Sequence, residues 1–321
     1  MLDLLTTDVD VAVSADIVYV GTYNDWIYRG DAGGWIKQNP FDGSSLEGPA
    51  IPCVISDVEV DPYNPDRLWW GSPGSLVRIY PLPDGHKNYF GVFAWNKTWH
   101  HSYITEGWGA FIAVDYGNES YCDSVKGAKI AYTCSYSFKC VLKTEDGGIT
   151  WKPSYNRLHG DCINEVSFLN DAKDTLVVMC VSGIELSYDY GNTWDDEFDA
   201  GPGQLRLDFP WWALPVSNYT IEIDGKTYNA DFLLIAGYPG PETGKRFGLF
   251  AVSAEYVKEA KKSKKAVWLG AKQLTSNPAV YGLIDGNYVV LALQEGGVEV
   301  YDFVNRTSFT SSLPTSLEFT R

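Results

Sequence analysis

The sequence predicts an all-β protein, a single β-propeller with six blades, and three observations support this prediction. Runs of β-favouring residues recur in six segments, each containing two strands joined by a turn rich in Gly, Pro, Ser or Asn. A further short strand precedes each segment, and a fourth, outer strand can be drawn after it. No long helical pattern appears, and aromatic residues make up 15% of the chain. Antiparallel sheets repeated in this way are typical of a propeller, where each blade covers its neighbour.

The repeats divide residues 1–321 into six blades of one domain. A seventh blade is the alternative, within residues 205–230, although YTIEIDGKTYNAD in that region favours an extra hairpin inserted into the fifth blade. The six predicted blades cover residues 9–40, 54–100, 108–155, 162–198, 205–275 and 278–313.

Two turns share the pattern Ser/Thr-x-Asp-x-Gly-x-Thr-Trp and are expected between the third and fourth strands of their blades. In such a turn the Asp can accept hydrogen bonds from nearby backbone amides, Gly permits a positive φ, and Trp packs between blades. The patterned residues are Thr144, Asp146, Gly148, Thr150 and Trp151 in KTEDGGITWKP, and Ser187, Asp189, Gly191, Thr193 and Trp194 in LSYDYGNTWDD. A weaker copy, YRGDAGGWIK, keeps Asp31, Gly33 and Trp35 in the first blade.

These turns resemble the Asp-box, or BNR, repeat of a β-propeller superfamily. That superfamily includes sialidases, xyloglucan-degrading glycosidases, sortilin-type receptors and a photosystem assembly factor. The resemblance implies that the turn residues are structural and lie on the rim away from the ligand. Residues 57–72, DVEVDPYNPDRLWWGS, look like a blade-entry strand of the xyloglucan-degrading enzymes, whose cleft lies between two propellers, whereas this chain has the length of one. Sialidases open with Arg-Ile-Pro, and here Ala50 replaces that Arg.

Charge and sequence motifs limit the kinds of partner and cofactor that we expect. The formal net charge of −16 argues against nucleic acid and anionic membranes, because phosphates need Lys and Arg opposite them. No apolar run is long enough to span a bilayer, and the N-terminus does not read as a signal peptide. We expect no membrane insertion and no metal. We also expect no cofactor, because no nucleotide-binding motif occurs. The oligomeric state is open.

Sequons and cysteines favour an extracellular or particle-surface setting. Four Asn-x-Ser/Thr sequons predict glycosylation at Asn96, Asn118, Asn218 and Asn305. Cys134 and Cys140 flank the turn of CSYSFKC and are the predicted disulfide pair, with buried thiols as the alternative.

A ligand is expected on the face formed by the loops that enter the first strands and those that join the second and third strands. We interpret AWNKTWHHSYITEGWG, residues 94–109, as such a loop, because exposed Trp and Tyr rings stack on sugars; packing of these aromatics between blades is the alternative. The predicted stacking residues are Trp95, Trp99, Tyr103 and Trp108, and the polar contacts are His100, Glu106, His159 and Asp161.

The sequence therefore favours a recognition module for glycans or a glycosylated protein, without catalysis. A glycoside hydrolase is the first alternative, using two carboxylates from Asp57, Glu106, Asp161 and Glu165. A structural or assembly protein of a surface layer or particle is the second.

Overall fold

A computed structural model describes the protein. The described residues are 6–12, 17–22, 27–38, 57–64, 67–72, 88–94, 98–105, 111–114, 119–122, 125–134, 141–148, 150–158, 163–169, 175–180, 183–199, 210–236, 247–263, 271–293 and 297–311.

Six four-stranded antiparallel sheets follow one another along these residues. The first sheet, in the order β1-β2-β3-β4, consists of β1 (Thr6–Ala12), β2 (Ile17–Thr22), β3 (Ile27–Asp31) and β4 (Gly34–Gln38). The second sheet, in the order β5-β6-β7-β8, consists of β5 (Asp57–Val60), β6 (Arg67–Ser72), β7 (Asn88–Ala94) and β8 (Thr98–Thr105). The third sheet combines β9 (Phe111–Val114), β12 (Ala131–Cys134), β13 (Val141–Thr144) and β14 (Lys152–Pro153), and a separate pair, β10 (Glu119–Cys122) and β11 (Val125–Ala128), precedes β12.

The remaining three sheets show the same succession of strands. The fourth sheet consists of β15 (Ile163–Phe168), β16 (Leu176–Cys180), β17 (Gly183–Ser187) and β18 (Asp195–Asp199). The fifth combines β19 (Pro210–Pro215), β22 (Phe232–Ala236), β23 (Gly248–Val252) and β24 (Ala271–Gln273). The sixth consists of β25 (Ala279–Asp285), β26 (Tyr288–Leu293), β27 (Val298–Asp302) and β28 (Thr307–Ser311).

Two insertions lie between successive strands of the fifth sheet. The hairpin of β20 (Thr220–Ile223) and β21 (Lys226–Asn229) lies between β19 and β22, which confirms the extra hairpin expected in this region. Helix α1 (Ala254–Lys262) lies between β23 and β24. No described helix is long and apolar enough to cross a membrane.

The chain divides into two compact units. One contains Met1–Asn156, Asp161–Ser167 and Asp189–Thr193, and the other contains Arg157–Gly160, Phe168–Tyr188 and Trp194–Arg321. In the first unit the first strands of successive sheets are neighbours, β1 beside β5 and β5 beside β9. Its largest fully buried side chains include Tyr19, Trp69, Trp70 and Tyr132.

In the second unit the fifth sheet is buried on both faces. Alternate residues Leu233, Ile235 and Leu249 join a core with Val289 and Leu291 of the sixth sheet. The intervening residues form a second core with strands β16 and β17; that core includes Phe232, Leu234, Phe250, Val177, Met179 and Leu186. Since successive side chains of a strand point to opposite faces, burial on both sides explains the unbroken apolar sequences FLLIA and GLFAV.

Candidate functional site

The turn from β13 to β14 is closed by the carboxylate of Asp146. One Asp146 oxygen accepts the Thr150 backbone N–H at 2.9 Å and the Thr144 hydroxyl at 2.8 Å, and the other accepts the Thr150 hydroxyl at 2.5 Å. The Thr144 hydroxyl oxygen also accepts the Gly148 N–H at 2.9 Å. Gly148 has a φ of 92°, a conformation in which a Cβ is unfavourable. The patterned residues therefore serve the turn itself.

The turn from β17 to β18 repeats this design. Asp189 accepts the backbone N–H of Thr193 at 2.8 Å and its hydroxyl at 2.6 Å. Gly191 has a φ of 73°, and Trp194 at the end of the turn is buried. Both turns lie between the third and fourth strands of their sheets, as the sequence predicts.

The first and sixth sheets have related turns at the same position. Asp31 accepts the Gly33 N–H at 2.8 Å, and this hydrogen bond, followed by one from Arg29, lowers the pKa of Asp31. Trp35 differs from Trp194 because its ring covers Gly30 and remains 60% exposed. In the sixth sheet, Asp302 takes the place of the turn aspartate.

The turn of the third sheet is held by a buried arginine from the second sheet. Arg67 donates to the Gly147 carbonyl at 2.7 Å, to the Ala128 carbonyl at 3.2 Å and to Asp61 at 2.7 Å. The Arg67 and Asp61 side chains are 1% and 0% exposed. Asp61 also accepts the Trp69 indole N–H at 2.9 Å and the Ala128 N–H at 2.9 Å. The buried charges are thus paired and hydrogen-bonded, which is the condition for tolerating them.

Close packing surrounds this ion pair. A Cβ at Gly127 would lie 1.7 Å from an Arg67 nitrogen, so only glycine fits beside the guanidinium. The rings of Trp69 and Trp151 meet edge to face, with centroids 6.2 Å apart. Sequence reasoning missed Arg67 and Asp61, and a lone arginine opening the apolar strand RLWWGS was the available signal.

Most of the predicted ligand contacts fall outside the described residues, namely Trp95, Glu106, Trp108, His159 and Asp161. Trp99, His100 and Tyr103 belong to β8, the edge strand of the second sheet opposite β5. The loop interpretation of residues 98–105 is therefore wrong, because this segment pairs along its length with β7. Its aromatic and β-branched residues suit a strand as well as a binding loop.

Two of the four carboxylates predicted for hydrolysis, Glu106 and Asp161, lie outside the described residues, so this pair remains a prediction. Asp57 opens β5 and is buried, and Glu165 lies within β15. In the residues that the structure describes, no group of three His, Cys, Asp or Glu side chains is arranged to hold a metal ion.

The predicted disulfide and glycosylation sites remain predictions. Cys134 is buried at the end of β12 and pairs with Val141, whereas Cys140 lies outside the described residues. Asn96 and Asn118 also lie outside them, and Asn218 and Asn305 are exposed in turns of the second unit.

A cleft of about 360 Å³ opens beside the turn from β19 to β20; we call it cleft A. Its floor is apolar and includes Leu186, Ala230 and Phe232. Its rim is polar and consists of Thr175, Tyr188, Ser217, Asn218, Asn229 and Asp231. Within the described residues, the side chains of Ser217, Asn218 and Asn229 bond to no other protein group. Cleft A thus offers amide and hydroxyl groups above an apolar surface.

The charge and rigidity of cleft A follow from its neighbours. Among the described residues that line cleft A, Asp231 is the one carboxylate, and it accepts the Ala254 N–H at the start of α1 at 2.7 Å. The Ala230 N–H donates to the Tyr219 carbonyl at 2.8 Å and the Asp231 N–H donates to the Val252 carbonyl at 2.8 Å. These bonds fix one wall of cleft A. Tyr188, in the connection that follows β17, is 42% exposed and presents an aromatic ring at the rim.

A second cleft, cleft B, has a volume of about 380 Å³ and lies on the other side of Val216, Ser217 and Asn218. These three residues line both clefts, and we call them the ridge. Asn218 adopts a φ of 59°, which turns the chain sharply at the ridge. The other residues lining cleft B are Pro215, Tyr219, Ile284, Gly286, Asn287, Phe303 and Val304.

An aromatic cluster supports cleft B from below. The Tyr219 and Tyr301 hydroxyls are 2.9 Å apart, and the Tyr219 and Phe303 ring centroids are 4.9 Å apart. Burial, and then the hydrogen bond with Tyr219, raises the pKa of Tyr301 far above the usual range of a phenol. The Tyr301 hydroxyl therefore stays neutral, and none of the described residues that line cleft B is charged.

Within the second unit, both clefts lie at the end of the strands that carries the Asp302 turn. In an antiparallel sheet, the connections from first to second and from third to fourth strand share one end. The ridge is a first-to-second connection, and Tyr188 and Val304 belong to third-to-fourth connections. The ligand face expected from the sequence lies at the opposite end, so these clefts were not predicted. Asn218 was singled out only as a sequon.

Comparison with known proteins identifies the fold. No family model matches the chain, and no curated protein matches its sequence. Solved structures that resemble it include the GH74 enzyme of Niastella koreensis, at 16% identity and a TM-score of 0.62, and the GH74 xyloglucanase of Xanthomonas campestris, at 14% and 0.64. The match covers 96% of this chain and 45% of each enzyme. The WD40 β-propeller domain of Doa1 matches over 98% of this chain and 84% of that domain, at 10% identity and a TM-score of 0.55.

The chain is a β-propeller. It spans less than half the length of the two GH74 enzymes. At these identities the likeness concerns the fold, and function has to be argued from the clefts.

Proposed function

We propose that this propeller is a recognition module that binds neutral glycans, free or on a glycosylated partner, and that cleft A contacts the sugar. The observation that carries the proposal is the combination of an apolar floor with a rim of amides, hydroxyls and one exposed tyrosine. Sugar rings present apolar C–H faces and hydroxyls that both donate and accept. The Tyr188 ring can stack on the apolar faces, and the side-chain amides of Asn218 and Asn229 can pair with the hydroxyls.

Charge supports neutral over acidic sugars. Among the described residues that line the two clefts, none is basic, and the whole chain carries a net charge of −16. An anionic polysaccharide would meet repulsion at long range and find no cation at the site. The similarity in fold to a xyloglucanase makes a neutral plant-type glucan the first probe to try.

Hydrolysis and assembly remain rival proposals, with a setting outside the cell proposed for all three. A hydrolase needs two carboxylates about 5 to 9.5 Å apart. Within the described residues, cleft A contains the single carboxylate of Asp231, which already accepts a backbone N–H. This arrangement favours binding without turnover.

The test is a retention assay on immobilised xyloglucan, mannan and polygalacturonate, with release of reducing ends measured in the same samples. Protein should be produced without N-glycosylation, because a glycan on Asn218 would project from the ridge between the clefts. We expect retention on a neutral polysaccharide and no release. Release would establish a hydrolase. Absence of retention on all of them, with oligomers in solution, would favour the assembly protein.

A matched pair of tyrosine variants locates the site. Tyr188→Ala removes an exposed ring at cleft A, whereas Tyr288→Ala removes a ring of similar exposure, 45%, that lines neither cleft. We expect about a tenfold or greater loss of affinity in the first variant, equivalent to about 1.4 kcal/mol, and no change in the second. Equal effects of both variants would refute cleft A as the site.

A further inference from the structure

We infer that clefts A and B are two parts of one site, and that its ligand is a linear neutral oligosaccharide chain lying across the ridge rather than a single terminal sugar. This inference rests on the proposed function. Its first support is continuity, because Val216, Ser217 and Asn218 line both clefts.

The second support is the chemistry of cleft B. Its outer wall is Val304, an aliphatic residue that is 68% exposed in a tight turn. Phe303 and Ile284 continue this apolar surface, and the amides of Asn287 and Asn218 lie at its edge. Cleft B therefore repeats the pattern of cleft A, an apolar surface bordered by amides, at a place where folding alone does not require an exposed valine.

The third support is rigidity. Asp302 accepts the N–H groups of Val304 at 2.8 Å and Asn305 at 2.9 Å, which fixes the turn that carries the valine. The Phe303 N–H donates to the Asn287 carbonyl at 2.9 Å, which ties the two walls of cleft B together. A surface that is ordered before binding loses little conformational entropy when a ligand arrives.

A chain molecule follows from the placement of the two clefts. Each cleft is at the lower end of the volume range of small-molecule sites. A single sugar would occupy one cleft and leave the other empty. A linear oligosaccharide presents the same apolar faces and hydroxyls at regular intervals, so one chain can contact both clefts while its middle residues cross Ser217 and Asn218. None of the described residues that line either cleft is basic, and Asp231 of cleft A is the single acidic one, which fits a neutral chain.

The experiment is calorimetric titration of the full, unglycosylated chain with cello-oligosaccharides from glucose to cellohexaose. We expect weak binding of the short sugars and a gain of about tenfold or more in affinity once the chain is long enough to reach cleft B. The variant Val304→Ser keeps the backbone N–H that Asp302 binds and removes the aliphatic wall. This variant should abolish the gain in affinity for long oligosaccharides and leave the affinity for short ones unchanged.

Two controls make the outcomes distinct. Tyr188→Ala should lower the affinity for short and long sugars alike. Phe309→Ser, which removes another exposed apolar side chain of the sixth sheet, should leave both affinities unchanged. Equal affinity at every length in the wild type would overturn the two-part site while leaving the binding function intact. A loss of short-sugar affinity in Val304→Ser would overturn it as well. Failure of every length to bind would reject both this inference and the proposed function for this class of glycan.

Discussion

The turns that follow the third strands of the third and sixth sheets have the same local design but different surroundings. Asp146 closes one by accepting from Thr150, and Asp302 closes the other by accepting from Val304 and Asn305. In the third sheet, the Gly147 carbonyl of the turn accepts from the buried Arg67 of the second sheet. In the sixth sheet, the turn carries exposed Val304 at the wall of cleft B.

The difference shows that a neighbouring sheet, and not the turn, determines whether such a turn is structural or accessible. Where the buried Arg67 reaches the turn carbonyl, the glycines of the turn, Gly147 and Gly148, are buried. In the sixth sheet, the hydrogen bonds to Asp302 fix a turn whose Val304 side chain faces solvent. The variants below separate these two roles.

The largest effect is expected from Arg67→Ala. It leaves the Asp61 carboxylate buried without its cation and the Gly147 carbonyl without its donor. Breaking a buried ion pair from one side costs about 3 to 5 kcal/mol of unfolding free energy. Urea denaturation measures this loss. Glu145→Gln is the control, because its ion pairs with Lys143 and Lys152 are partly exposed and should contribute less than about 1 kcal/mol. A loss no larger than that of the control would show that Arg67 does not hold the turn.

A glycine pair tests close packing against backbone strain. Gly191 and Gly225 have nearly equal φ values, 73° and 76°. An alanine Cβ at Gly191 would lie 2.6 Å from the Ser154 hydroxyl and 2.9 Å from the Tyr132 ring, whereas at Gly225 it would meet open space. Both alanine variants should lose about 1 to 2 kcal/mol from the left-handed backbone.

Gly191→Ala should lose a further 1 to 3 kcal/mol, roughly, from crowding. Thermal or urea unfolding of both variants measures the difference. The double variant Gly191→Ala/Ser154→Gly should recover part of the crowding loss. Equal losses in Gly191→Ala and Gly225→Ala would mean that the turn of the fourth sheet is not tightly held.

The two turn aspartates provide the most direct comparison. Asp146→Ala removes the acceptor of three hydrogen bonds in a partly buried turn and should cost about 1 to 3 kcal/mol, measured by urea denaturation. Asp302→Ala should destabilise the protein less, since water can replace the acceptor at an exposed turn. It should instead weaken binding of long cello-oligosaccharides. A larger loss of stability in Asp302→Ala than in Asp146→Ala would contradict the assignment of the Asp146 turn as structural and of the Asp302 turn as accessible.

The smallest effect concerns pH and the attachment of α1. Glu259 accepts from Lys226 at 2.7 Å and from Tyr228 at 2.9 Å, and these bonds, that from Lys226 first, lower the pKa of Glu259 below 4.5. A lowered carboxyl pKa stabilises the fold above the unfolded-state value. This stability is lost as the pH falls from about 4.5 through the lower folded-state pKa.

The difference in urea midpoint between wild type and Glu259→Gln should therefore be positive at neutral pH and shrink towards zero in acid. Glu255→Gln is the control, because its carboxylate lies farther from Lys226, at 3.8 Å. A difference that does not change with pH would show that the ionised Glu259 does not help hold α1.

Secondary structure and local turns could be predicted from the sequence with physical reasons. The hairpin of β20 and β21 followed from IEIDGKTYN, where Asp-Gly adopts the positive φ values of a two-residue turn, 53° and 76°. The segment 98–105 was predicted wrongly as a loop, because Trp, His and Tyr are as common at binding surfaces as in strands. Its pairing with β7 decides between the two.

The clefts could not be predicted, because no local pattern encodes them. Tyr188 of the fourth sheet lines cleft A, Val304 of the sixth sheet lines cleft B, and Asn218 before the inserted hairpin lines both, so the clefts form only where these segments pack together. Each is unremarkable in its own segment. Sequence reasoning therefore placed the ligand at residues 94–109, where aromatic residues cluster along the chain.

By itself the sequence determined the all-β class and the repeat, because β-favouring runs and turn residues recur along the chain. It also determined the aspartate turns, because these depend on hydrogen bonds between residues two to four positions apart. The tertiary structure alone decided that Arg67 would bind a carbonyl 80 residues away and that two clefts would share one ridge. The physical reason is range: a turn closes within its own segment, whereas buried ion pairs and clefts exist only where separate sheets pack together.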